Sequence, residues 1–169
     1  MKTLVVWYSR TSATRTLGRW IAAAAGAEIE ELDDGDPRRG AWGFLRSGRE
    51  GLFRRRVELN PGKWDPRDFD LVIVGTPVWS FSMSSPVRTW LERWARALPR
   101  VAFFCTMGQW GSARVFRQME RACGRTPLAT FAQKRAQMME ADLPERVRLF
   151  VARLQPYGPR ERGQEVSNP

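Results

Sequence analysis

A chain of 169 residues, 43% of them hydrophobic, is long enough to bury the core of one domain. It has no histidine, and its two cysteines, Cys105 and Cys123, form no CxxC or metal-ligand spacing, so a zinc site or a histidine-based triad has nothing to build on. The net charge of +10 is almost all arginine and is ambiguous: it suits an anionic partner or a plain compositional bias toward arginine, and the arginines are spread over most segments and not gathered into one stripe.

Thr3–Tyr8 (TLVVWY) is a continuous apolar run, as expected of a strand buried on both faces of a parallel sheet. The hydroxyl-rich turn Ser9–Thr14 (SRTSAT) follows, then Leu17, Trp20, Ile21 and Ala24 at helical spacing up to Gly26. Ala27–Leu32 alternates and reads as a second, less buried strand. From Asp33 to Asp68 the chain is rich in Gly, Arg and Trp. It has only a partial helical pattern at Trp42, Phe44, Leu45, Leu52 and Phe53, which suggests a short helix with loops.

Phe69–Gly75 (FDLVIVG) is the third strand. The turn Thr76–Ser85 leads into a helix with Pro86 in its first turn and Val87, Trp90, Leu91, Trp94 and Leu98 on its apolar face. Val101–Cys105 is the fourth strand, Thr106–Gly111 a glycine-containing loop, and Val115, Phe116, Met119 and Cys123 mark the next helix. Pro127–Ala132 is a weak fifth strand, and Leu143, Val147, Phe150, Val151 and Leu154 line the last helix. Both cysteines fall on apolar patterns and read as packing residues.

This alternation calls for a parallel sheet with helices on both faces. The expected domain is 1–155, and the polar residues 156–169 are expected to form a disordered tail. No apolar run reaches the roughly 18–20 residues of a membrane span, and the N-terminus lacks signal-peptide features, so the expected location is cytoplasmic.

In such a sheet, ligands bind beyond the carboxyl ends of the strands, where strand order reverses. Ser9, Thr11, Ser12 and Thr14 sit where exposed backbone N–H groups and the helix dipole favour an anion, and a helix cap needs only one of these hydroxyls. Arg10 adds charge beside them. The second loop carries Trp79 and Phe81, and the third carries Trp110 between Gly108 and Gly111, glycines that let backbone approach a flat ligand. Together these loops point to a phosphorylated planar aromatic ligand.

The strand followed by SRTSAT, and the GTPVW segment, resemble the flavodoxin family over Lys2 to Leu154. The resemblance implies a three-layer, doubly wound, five-stranded parallel sheet of order 2-1-3-4-5 with FMN as cofactor. It implies that Ser9, Arg10, Thr11, Ser12, Ala13 and Thr14 hold the FMN phosphate. Pro77, Val78, Trp79 and Ser80 would line one side of the isoalloxazine, and Thr106, Met107, Gly108, Gln109, Trp110 and Gly111 the other. Ser12 and Ala13 replace the family's glycine and asparagine, and Ser80 stands where many of its members carry glycine beside the reduced flavin.

The implied activity is FMN-dependent electron transfer, with a redox partner protein, acidic or otherwise, or a small-molecule acceptor. The alternatives are an FMN-dependent NAD(P)H:quinone-type reductase, or a basic module that has lost FMN and binds an anionic partner. No residue is assigned as catalytic or metal-ligating, and no nucleic-acid motif is found.

Overall fold

The computed structural model describes residues 1–33 and 57–155. The partial helical pattern at Trp42–Phe53 and the tail 156–169 lie outside the described residues.

Among the described residues the elements run β1 (Thr3–Trp7), α1 (Ser12–Ala25), β2 (Glu28–Glu31), β3 (Leu71–Trp79), β4 (Ser82–Met83), α2 (Ser85–Trp94), β5 (Arg100–Met107), α3 (Ser112–Cys123), β6 (Thr130–Lys134) and α4 (Leu143–Ala152). The parallel strands lie in the order β2-β1-β3-β5-β6, and β4 pairs antiparallel with the end of β3. With the parallel strands counted alone, this is the expected order 2-1-3-4-5.

Alternation along the central strands splits the core into two halves. Leu4, Val6, Val72, Val74, Val101 and Phe103 face α2 and α3, where Val87, Leu91, Val115 and Met119 meet them. Val5, Trp7, Leu71, Ile73, Ala102 and Phe104 face α1 and α4, against Leu17, Ile21, Val147 and Phe150. Burying each large apolar side chain contributes roughly 1.5–3 kcal/mol, so a sheet covered on both faces is strongly favoured over an exposed one. β2 lies at one edge of the sheet, with β6 at the other, and is the least buried of the parallel strands, as its alternation suggested. The segment before β3 is fastened to β2 by Trp64, whose indole N–H donates to the Ile29 carbonyl at 3.2 Å and whose backbone N–H donates to Glu30 Oε2 at 3.0 Å.

Several element boundaries differ from expectation, and β5 runs on through Thr106 and Met107, which were expected in the following loop. β3 does not stop at Gly75 but continues to Trp79 and folds back as β4, so much of the expected loop Thr76–Ser85 is a hairpin. Its two turn residues, Ser80 and Phe81, have φ of 45° and 62°. Positive φ at both positions is what type I′ hairpin turns require, but this turn lacks the Asn-Gly or Asp-Gly that usually announces one. The weak fifth strand is shifted toward the C-terminus, to Thr130–Lys134, because it pairs in register with Phe103–Met107 of β5.

Candidate functional site

β1 ends opposite Gly75 of β3, and β2 and β3 flank it on opposite sides. The strand order therefore reverses at β1 and β3, and the loops after β1, β3 and β5 gather at this edge of the sheet.

In the first loop the hydroxyls divide into two pairs. Ser9 turns inward: its hydroxyl donates to the Thr11 carbonyl and accepts from the Arg15 N–H at 3.1 Å. Thr14 is 1% exposed, and its Oγ1 lies 2.7 Å from Thr106 Oγ1, tying the start of α1 to the end of β5. Thr11 and Ser12 are exposed. Thr11 is the N-cap of α1 but makes no side-chain cap bond, and the first turn of the helix holds no acidic residue. Uncapped N–H groups, the helix dipole and two outward hydroxyls make this a fitting place for an anion. Arg10 is exposed beside it, and Ala13 is half-buried.

In the hairpin, Pro77, Val78 and Trp79 are half-buried and Ser80 is exposed. Trp79 packs edge-on against Tyr8 of the first loop, with ring centroids 5.7 Å apart at 88°. Phe81 is 54% exposed despite its size. In the third loop Thr106 and Met107 are buried at the end of β5, whereas Gly108, Gln109 and Trp110 are exposed, Trp110 by 75%. Lys134 Nζ stands 6.0 Å from the centre of the Trp110 ring.

The two glycines have different roles. Gly111 has a φ of 113°, and a Cβ there would come within 3.1 Å of Val78 and 3.2 Å of Phe81, so the third loop is pressed against the hairpin. A Cβ on Gly108 would meet open space. A cleft of about 660 Å³ joins the first and third loops, lined by Ser12, Ala13, Gly108 and Gln109 together with Trp20 and Arg135. Trp20 and Arg135 were not among the expected site residues.

Gln118 of α3 is a further residue that the sequence did not reveal. Its Nε2 donates to the Phe81 carbonyl at 3.3 Å, and its Oε1 accepts from the Met83 N–H at 3.2 Å and from Arg88 at 3.5 Å. One amide thus holds the second residue of the positive-φ turn and the β4 strand that follows it. Its partners lie 30, 35 and 37 residues away in sequence, so no local pattern could have marked it.

Neither thiol is suited to redox chemistry of its own. Burial pushes Cys105 from 9.0 up to about 12, and burial also raises Cys123. Little reactive thiolate is then present at neutral pH.

The sheet order and this loop cluster define a flavodoxin-like α/β fold. No protein-family model matches the chain, and no curated protein sequence does. Solved structures do. A flavoprotein from Lactobacillus acidophilus NCFM, crystallised in complex with FMN, is 21% identical, with a TM-score of 0.59 over 78% of this chain and 93% of its own. A WrbA-like flavodoxin protein from Agrobacterium tumefaciens is 17% identical, with a TM-score of 0.58 over 90% of this chain and 93% of its own. A flavodoxin from the domain Archaea is 17% identical, with a TM-score of 0.56 over 92% and 98%.

Proposed function

We propose that this chain binds FMN non-covalently and serves in electron transfer. The observation that carries the reading is the uncapped, acid-free start of α1 at the strand-order reversal, with the exposed rings of Phe81 and Trp110 on the adjoining loops. Thr11, Ser12 and the first-turn N–H groups would receive the phosphate. Ser9 and Thr14 shape the loop, and Thr14 also ties it to Thr106. Pro77–Ser80 and Gly108–Gly111 would border the isoalloxazine, with Trp79 steadied by Tyr8. When bound, the flavin supplies the electron-accepting chemistry, and the protein sets its orientation and access. The FMN-bound neighbour from Lactobacillus acidophilus supports this reading through its shared fold.

Titration of apoprotein with FMN and with riboflavin tests it. The Thr11→Ala/Ser12→Ala variant loses two hydroxyl donors to a charged group, each bond worth about 1.5–3 kcal/mol. Its FMN affinity is expected to fall more than tenfold, with riboflavin affinity nearly unchanged. Equal losses for both ligands would remove the phosphate assignment, and absence of FMN binding by the parent protein would remove the proposal. Steady-state oxidation of a nicotinamide cofactor distinguishes a reductase from a carrier.

A further inference from the structure

The arginines look scattered in the sequence, but the fold gathers some of them. Arg114, Arg117 and Arg121 recur at spacings of three and four along α3, and all three are exposed. Residues so spaced share one helix face. Among the described residues, none of the three forms an ion pair, and Glu120, the acid on this helix, is engaged by the Thr126 hydroxyl at 2.8 Å. The stripe begins three residues after Gly111, where the third loop meets the hairpin, so its upper end adjoins the exposed Trp110 and Phe81. From Arg114 to Arg121 it runs about 10 Å down the helix.

We infer that the α3 arginine stripe, together with Trp110 and Phe81, is the docking surface for an acidic electron-transfer protein. The inference rests on the FMN reading for its redox sense and on the charge pattern for its place. An unpaired cationic row steers an acidic partner toward this face and raises its encounter rate. The two exposed rings at the head of the row offer a small apolar contact at the edge where the flavin would sit. A small contact of this kind suits the brief encounters of redox proteins, whose interfaces are among the smallest. Nucleic-acid binding would also use arginines, but it gives no reason for the row to start at the candidate flavin edge.

The experiment uses FMN-loaded full-length protein and, as probe, a labelled acidic [2Fe–2S] ferredoxin. Binding is read by fluorescence anisotropy and flavin reduction by stopped flow. In the reduction, two reduced iron–sulfur centres each lose one electron, and FMN takes both electrons with two protons from water. The variant Arg114→Glu/Arg117→Glu/Arg121→Glu is compared with Arg19→Glu/Arg148→Glu/Arg153→Glu on the opposite face. Each variant lowers the net charge of +10 by six. The stripe variant is expected to lose at least tenfold in affinity and in reduction rate at low salt, and the control less than threefold. Melting temperature and FMN absorbance are measured on both variants, so loss of fold or of flavin is seen separately from loss of docking. Equal losses in the two variants would overturn the inference, as would tighter binding of duplex DNA or of phosphatidylglycerol vesicles than of the ferredoxin through the same stripe.

Discussion

The two faces of the sheet use the same residue types differently. On the α1/α4 side, three arginines are held in ion pairs. Arg15 grips Glu31 of β2 through Nε and Nη2 at 2.9–3.0 Å, and the hydrogen bond and charge of Glu31 raise the guanidinium pKa. Arg146 reaches Glu140 and Asp142, and Arg148 reaches Glu145. On the α2/α3 side, the α3 stripe has no ion-pair partner among the described residues. The interiors differ as well. The α1/α4 half relies on close fits in which a glycine accepts a ring: a Cβ on Gly18 would come within 2.5 Å of Trp7, and one on Gly75 within 1.9 Å of Phe104. Arg15, Arg146 and Arg148 therefore fasten the protein to itself, whereas Arg114, Arg117 and Arg121 remain available to something else.

The sharpest way to break this contrast is to spoil a close fit. Gly75→Ala drives a methyl into the Phe104 ring, deep in the α1/α4 half, and overpacking of this kind costs typically 1–3 kcal/mol. A loss of about 3 kcal/mol is expected in urea unfolding, with partial recovery in the Gly75→Ala/Phe104→Leu pair. Full stability in the single variant would show that the sheet yields more easily than this packing implies.

The next effect belongs to the other half. Cys105 follows Phe103 by two residues on β5, so its side chain points to the α2/α3 side. Its thiol holds its proton up to about 12 in the fold, against 9.0 for an ordinary thiol. The raised value means that this contribution is intact below pH 9 and is lost as pH climbs from there toward 12, by up to about 1.4 kcal/mol per pH unit. Unfolding measured between pH 8.5 and 10.5 is expected to show a shallower decline for Cys105→Ala than for the parent. Parallel curves would assign the alkaline loss elsewhere.

The smallest effects compare the arginines directly. Arg15→Ala breaks a two-pronged but half-exposed pair, which solvent screens, and is expected to cost about 0.5–1 kcal/mol, less in high salt. Arg117→Ala has no pair to break and is expected to leave stability within about 0.5 kcal/mol. Equal costs would mean that the stripe takes part in folding after all.

Much of this was legible beforehand. The continuous apolar runs of β1 and β5 and the helical spacing on α1 and α3 reflect burial on one or both sides, and they fix the alternation that calls for a parallel sheet between two helix layers; the strand order came from the family resemblance alone. What stayed hidden depended on contacts distant in sequence. The β3–β4 hairpin carried no glycine at its turn, so it read as loop. Thr14 looked like one more hydroxyl of the first loop until β5 brought Thr106 against it. The arginine stripe was concealed because arginine is abundant everywhere, and only the rotation of α3 sorts Arg114, Arg117 and Arg121 onto one side.

The Gln118 amide sets a limit on how this chain can drift. The Phe81 carbonyl asks it for a donor and the Met83 N–H asks it for an acceptor. A carboxylate offers only acceptors and an ammonium only donors, whereas a carboxamide or a neutral imidazole offers both. Asparagine has the right chemistry but is one methylene short. Position 118 is thus constrained by chemical grammar, although it lies outside the loops that would touch a ligand. A neighbour such as Arg117, with no such demand on it, is free to vary with whatever the protein meets.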